Sequence, residues 1–404
     1  MQRRMPHWED VKPLLKIKPP GFGPEARLAN AADVYDLRKI AKRRTPKAPF
    51  DYTDGGADQE IALRRSREVY RRIEWQNVTV LRDVAEVDMS TSILGAPSSL
   101  PLAFAPTGFT RMMQHEGEPA VARAAQRAGL TYAVSTLGTT TPEAVAAAAP
   151  QLNRWFQLYL FKDRGFSGEL LRRAKDSGYS AVILTVDTAI PGARLRDVRN
   201  GLTVPPSLTL KTLLDMARHP GWWFNLLTTE PLEFATMRHF DGTVAEIVAA
   251  TFDPSLNWAD IDWLRSHWDG KLVIKGIQSL ADAERAVDHG ADAVIVSNHG
   301  GRQLDRAPTT FELLPHVVDA VGDKVEVFVD GGIMDGADVL AAVAQGATAA
   351  FIGRAYLYAL MAGGEHGVDR MIEMFRGSIQ RTMQLLGVTS LKELDRQHLK
   401  IRNP

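Results

Sequence analysis

This sequence predicts an α/β fold: a closed (β/α)8 barrel with an N-terminal helical extension and a long insertion after its fourth strand. Three observations carry that prediction. From Pro101 onward, short apolar runs recur eight times, each ending in polar or glycine residues. Amphipathic stretches separate most of the runs, and several stop on a glycine just before the next one (Gly129, Gly178, Gly290, Gly346), as helix C-termini commonly do. The runs are continuous rather than alternating, as parallel strands buried on both faces require. Eight strands favour closure. A doubly wound open sheet is the alternative, but no G-x-G-x-x-G follows the first strand to support it.

Taken in order, residues 1 to about 30 are rich in Pro, Lys and Gly and read as an extended arm. Ala32 to Arg43 sets Val34, Leu37, Ile40 and Ala41 at helical spacing. Tyr52 follows in a turn-rich stretch, PFDYTDGGADQE, where the residues alone suggest a half-buried packing tyrosine. Residues 1–100 thus form an arm and helical extension packed on the barrel, and 101–390 form the barrel itself. Its strands are expected at 101–107, 132–136, 155–159, 181–187, 271–276, 293–299, 326–332 and 349–354. The helices between them include EPAVARAAQRA, PEAVAAAA, GELLRRAKDS, ADAERAVDH, FELLPHVVDAV and ADVLAAVAQ. A long stretch between Asp187 and Lys271 breaks the rhythm and reads as a lid-like insertion over about 195–255. Within it, Trp222-Trp223-Phe224 beside Arg218 suits a peripheral membrane contact, a self-packed lid or a subunit contact. The chain closes with a helix, Val368 to Leu386, and a polar tail over 391–404.

Composition removes several function classes. The 404 residues include 48 basic and 48 acidic side chains, so no basic excess marks a nucleic-acid partner. With 0 cysteines, disulfides, thiolate nucleophiles and thiolate-bound metals are excluded. His115, His289 and His316 do not cluster, and His115-Glu116 lacks the second histidine of a zinc helix, so no metal site is expected. Neither a signal-peptide core nor a membrane-spanning run is found, and the expected location is the cytoplasm, with attachment to the inner face of the cell membrane left open.

Catalytic groups of such barrels gather at the C-terminal ends of the strands. Those ends carry Thr107, Ser135, Gln157 with Tyr159, Thr185 with Asp187, Lys275, His299 with Arg302, Asp330, and Gly353-Arg354. In VIVSNHGGRQLD a base and a cation leave one buried strand together, suited to deprotonating an anionic substrate. Asp330-Gly331-Gly332 and Gly353-Arg354 follow the last two strands, the usual phosphate position of this fold. Lys275 has three readings: a Schiff base, a charge beside a cofactor that gains electrons, or a structural strand-end lysine. Asp187 either orients His299 or caps the following segment.

The segments SNHGGRQLD, FQLY, LTVDT, IKGI, DGGI and FIGRAYLY resemble the FMN-dependent α-hydroxy-acid-oxidising family, from about Ala31 to the C-terminus. The resemblance implies a barrel holding FMN non-covalently. It further implies His299 as the base, Asp187 as its partner, and Arg302 and Arg194 as a carboxylate clamp. Tyr52 and Tyr159 would bond the carboxylate and the region of the hydroxyl-bearing carbon. Lys275 would lie near flavin N1 and O2, with Thr107, Ser135, Gln157, Thr185 and Ser297 around the flavin ring. Asp330, Gly331, Gly332, Gly353 and Arg354 would serve the ribityl chain and phosphate. Two departures stand out: Met334 replaces a basic residue common in the family, and Leu137 replaces the tryptophan of glycolate oxidases. The insertion ARHPGWWFNLLTTEPL most resembles that of the lactate and mandelate dehydrogenases linked to the respiratory chain. The expected activity is oxidation of an L-2-hydroxy acid, L-lactate to pyruvate first, passing electrons to a quinone or cytochrome. The resemblance also implies a homotetramer, and with no cytochrome-like extension ahead of the barrel a fused haem domain is not expected. An oxygen-using oxidase or monooxygenase, a non-redox FMN barrel isomerase, and a non-catalytic binding barrel are the alternatives.

Overall fold

The computed structural model describes residues 4–15, 21, 23–201, 214–215, 217–237 and 251–402. Three short strands precede the barrel: β1 (Ile73–Trp75), β2 (Thr91–Ile93) and β3 (Ala96–Ser98). β2 and β3 form an antiparallel hairpin turning on Leu94 and Gly95, both at positive φ (49° and 82°) as tight two-residue turns favour. Eight parallel strands then close a barrel: β4 (Leu102–Phe104), β5 (Thr131–Ser135), β6 (Arg154–Leu158), β7 (Ala181–Thr185), β8 (Lys271–Ile277), β9 (Ala293–Val296), β10 (Glu326–Asp330) and β11 (Ala349–Ile352). Each pairs with its neighbour in sequence, and β11 returns to β4. The predicted fold class is the observed one.

Helices cover the outside where their caps permit. Thr141 accepts from Ala144 N to start Pro142–Ala148, and Ser279 accepts from Asp282 N to start Leu280–Asp288. Asp335 and Asp338 form a capping box on Gly336–Ala344. Gly129, at φ 65°, ends Gly117–Ala128 in the left-handed region that Gly adopts without strain.

Alternate strand residues point inward. Ala103, Ala105, Ala133, Trp155, Ile183, Val273, Ile295, Phe328 and Phe351 form one buried cluster, joined from the N-terminal end by Ile93 of the hairpin. The larger cluster, including Phe104, Tyr132, Phe156, Val182 and Leu184, packs between barrel and helices.

Three expectations are corrected. The arm read as extended contains short helices, Trp8–Val11 and Gly23–Leu28; Leu28 is buried and anchors the second. Tyr52 lies in a helix, Lys47–Asp54, rather than in a turn; Pro46 stands just before it and Phe50 is buried on it. The C-terminal tail ends in a strand, β12 (Leu399–Ile401), antiparallel to β1, with Leu399 opposite Trp75. Much of the insertion expected over about 195–255 lies outside the described residues. Its described parts include helices Leu195–Asn200 and Pro220–Thr228.

Candidate active site

Two residues further along each inward-facing row, the barrel interior changes character. Ala133 leads to Ser135, Trp155 to Gln157, Ile183 to Thr185, Val273 to Lys275, Ile295 to Ser297 and Phe328 to Asp330. All six of these polar side chains are buried. The rows of Ala105 and Phe351 continue to Thr107 and Gly353, both half-buried. The candidate residues thus form one layer because they share one strand parity.

Within that layer Lys275 Nζ lies 3.0 Å from Ser297 Oγ and 3.1 Å from Asp330 Oδ2. Ser297 Oγ donates to Asp330 Oδ1 at 2.7 Å. The ion pair with Asp330 fixes Lys275 in place, which suits an electrostatic role better than a Schiff base. Ser135 Oγ and Thr136 N both donate to Gln157 Oε1 (2.9 and 3.3 Å). Gln157 Nε2 is left buried with no partner. A buried, unmatched donor is costly, and a planar ring rich in acceptors would satisfy it. Thr107 Oγ1 meets Tyr356 OH at 2.5 Å. Gly353 leaves its side open, since an added Cβ would meet only Thr107 Cγ2 at 3.8 Å. These residues fit a flavin.

His299 follows β9 at φ 56°, a left-handed conformation uncommon outside glycine. Its amide donates to Ser297 Oγ at 3.1 Å, and its Nδ1 lies 3.1 Å from Asp187 Oδ1. Asp187 caps no helix; the next begins at Leu195. Burial works to raise the Asp187 carboxyl, but His299 and Lys275 outweigh it and hold the group below the usual carboxylate range. An ionised Asp187 accepts a hydrogen bond from Nδ1–H, which leaves Nε2 free to act as a base. Gly276, at φ 107°, is required for this pairing, because a Cβ there would stand 2.8 Å from Asp187 Cβ.

Beside the dyad lies a cationic cluster. The Arg302 and Arg194 guanidinium carbons stand 4.7 and 5.1 Å from the Tyr52 ring centroid, and Arg302 donates to the Tyr52 carbonyl. Burial, then the nearby Arg194, pushes Arg302 down to about 10. Two crowded guanidinium groups favour an anion that relieves their repulsion. Arg194 also pairs with Asp197 at 3.1 Å. Tyr159 is buried against Phe252, and burial followed by Asp187 raises its hydroxyl above the ordinary tyrosine value.

The expected phosphate residues are held differently from one another. Gly331 and Gly332 both adopt positive φ (98° and 83°). A Cβ on Gly332 would collide with the Ser66 carbonyl of helix Ile61–Arg71, so this glycine also permits helix packing. Met334 N donates to Asp338 Oδ2 at 2.8 Å, and Arg67 Nη1 donates to the Gly332 carbonyl at 2.8 Å. The Arg354 guanidinium donates to the carbonyls of Thr53, Gly300 and Gly55 at 2.9, 2.8 and 2.7 Å. Its side chain therefore braces the end of helix Lys47–Asp54 against the loop after β9, a role the sequence reading missed.

The insertion returns to this region. Trp222 Nε1 donates to the Met112 carbonyl at 3.1 Å, and Trp223 is buried. Phe234 lies 4.3 Å from Phe109, whose ring meets Tyr52 edge-on at 6.1 Å. Ala235 N donates to the Gly138 carbonyl at 3.0 Å. No sequence signal marked Phe109 or Phe234. Among the described residues, no group of three or more His, Asp or Glu side chains could hold a metal.

Comparison with known proteins places the chain in a family. The model of the "FMN-dependent dehydrogenase" family matches residues 41–401. The chain is 53% identical over 400 residues to a Mycobacterium tuberculosis protein named "Putative L-lactate dehydrogenase", covering 99% of this chain and 96% of that protein. It is 39% identical over 366 residues to an L-lactate dehydrogenase of Chromohalobacter salexigens, covering 89% and 93%. Among solved structures it is similar to the monotopic membrane protein (S)-mandelate dehydrogenase, with a TM-score of 0.88, 34% identity and coverage of 92% and 100%. A model match over most of its length, with relatives at this identity, means that the chain belongs to the family of FMN-dependent dehydrogenases.

Proposed function

We propose that this enzyme oxidises an L-2-hydroxy acid, L-lactate before others, to the 2-keto acid, and passes the electrons to a quinone or a cytochrome. The observation that carries the reading is the His299–Asp187 pair standing beside two arginines gathered around Tyr52. The names of the relatives support lactate. Arg302 and Arg194 hold the substrate carboxylate, and the Tyr52 and Tyr159 hydroxyls orient it. His299 receives a proton at Nε2, and Asp187 stabilises the imidazolium so formed. Bound FMN supplies the two-electron acceptor. Thr107, Ser135, Gln157, Thr185 and Ser297 hold its ring, with Lys275 stabilising negative charge gained there. Asp330, Gly331, Gly332, Gly353 and Arg354 hold its ribityl and phosphate end.

We also assign a cytoplasmic location with peripheral contact to the inner membrane face, and a homotetramer. No described helix is long and apolar enough to cross a membrane. Phe224 and Leu227 are 67% and 66% exposed on one helix, with exposed Arg218 just before it, which suits contact with an anionic lipid surface.

The test is anaerobic titration of the yellow protein with L-lactate, followed by reoxidation with a quinone or with air. Bleaching by L-lactate and faster recovery with quinone are expected. A flavin that stays oxidised with L-lactate but bleaches with (S)-mandelate would overturn the substrate assignment, and faster recovery in air would overturn the acceptor.

A further inference from the structure

Helix Leu195–Asn200 begins directly after Arg194, yet it buries none of its own residues. A helix of this length without a packed apolar face is not stable by itself. What fixes it, and with it the direction of Arg194, is polar. Arg196 Nη1 donates to Asp54 Oδ2 at 2.9 Å and Nη2 to Glu60 Oε2 at 2.6 Å. One turn on, Asn200 Nδ2 donates to Asp51 Oδ2 at 2.8 Å and Oδ1 accepts from Lys47 Nζ at 2.6 Å. Lys47, Asp51 and Asp54 lie on helix Lys47–Asp54, which carries Tyr52, and Glu60 stands at the start of the next helix, Ile61–Arg71.

Asp54 is the hub. Its buried carboxylate also accepts from Arg38 Nε and Nη2 (2.6 and 2.9 Å) and from Tyr358 OH (2.8 Å). Tyr358 shares its helix, Arg354–Gly363, with the arginine that braces the Thr53 and Gly55 carbonyls. One carboxylate thus joins the Tyr52 helix, the Arg194 helix and the helix after the eighth barrel strand.

We propose that Asp54 and Arg196 are positioning residues that latch the Arg194 helix onto the Tyr52 helix, and so set the geometry of the substrate-carboxylate clamp. Neither residue touches substrate in this account; they act through Arg194 and Tyr52. The proposal rests on the clamp assigned above. It predicts that weakening the latch lowers affinity for carboxylates while leaving the His299 chemistry and the flavin in place.

The experiment compares wild type, Arg196→Met, Arg196→Lys and Asp54→Asn, each loaded with FMN. Arg196→Met removes both latch bonds and is expected to raise the KM for L-lactate and the Kd for oxalate, a carboxylate that is not oxidised, about tenfold, the worth of one charge-assisted hydrogen bond from a misdirected Arg194. kcat and flavin content should stay near wild type, and amide exchange over 195–200 should quicken. Arg196→Lys should recover part of the affinity. Arg196 lies on a helix with no buried residues, so its variants stay testable even if Asp54→Asn does not fold. Faster exchange with unchanged KM and oxalate affinity would overturn the positioning role, and unchanged exchange would overturn the latch. If the wild type oxidises no 2-hydroxy acid, the functional reading fails instead. The oxalate affinities of wild type and Arg196→Met then decide the latch, and equal values would overturn it.

Discussion

Trp155 and Gln157 sit two residues apart on one strand, facing the same barrel interior, yet they belong to opposite kinds of packing. Trp155 lies 5.8 Å from Phe328 and 5.6 Å from Phe351, in an apolar layer joined by Ile93 of the hairpin. Glu326 ties that hairpin down by accepting from Leu94 N at 3.0 Å. One step up, the layer is polar and incompletely satisfied: Gln157 Nε2 is buried with no partner, as is Asp187 Oδ2 just beyond the layer. The lower layer is made for stability and the upper for ligands, and a single period of strand alternation separates them.

Breaking the lower layer should have the largest effect. Trp155→Ala should cost about 3–5 kcal/mol of stability, read by denaturant unfolding, while folded enzyme keeps its rate per bound flavin. A rate per flavin that fell with stability would erase the distinction between the layers. His299→Gln should do the reverse. It should lower kcat by about 10²–10⁴-fold, the usual worth of a positioned base, with FMN retained and the unfolding midpoint nearly unchanged.

Asp54 lies outside both layers and sharpens the comparison through pH. Burial works to raise its carboxyl, but Arg38, Tyr358 and Arg196 outweigh burial and hold it down to about 2. Because the folded value lies below the unfolded one, stability is present above about pH 4 and is lost as pH falls towards 2, by roughly 2 kcal/mol for this group. Acid unfolding of Asp54→Asn should lack that portion; an identical acid profile would contradict the assigned pairing. The smallest effect is expected at Gln157. Gln157→Leu should weaken FMN binding about tenfold, the worth of one buried hydrogen bond, while the apoprotein stays nearly as stable. Unchanged FMN affinity would mean that this amide does not face the flavin.

The strands were readable because each is a continuous apolar run bounded by polar residues, and the layer was readable because its members end those runs. Ser135, Gln157, Thr185, Lys275 and Asp330 needed no side-chain geometry to be chosen, whereas Ser297 came only from the family resemblance. What could not be read depends on contacts between distant segments. Arg38, Arg196 and Tyr358 converge on Asp54 from separate elements at no characteristic spacing. β12 has only three residues, and its partner β1 lies near the other end of the chain. The commitment of Arg354 to three backbone carbonyls depends on where its side chain points, which Gly353-Arg354 as a motif does not specify.

The most direct test of the account is the visible spectrum of wild type and His299→Gln, mixed side by side with L-lactate without oxygen. The account predicts that the wild type bleaches within the mixing experiment while the variant, equally yellow at the start, bleaches about 10²–10⁴-fold more slowly. Bleaching of the variant at the wild-type rate would contradict it.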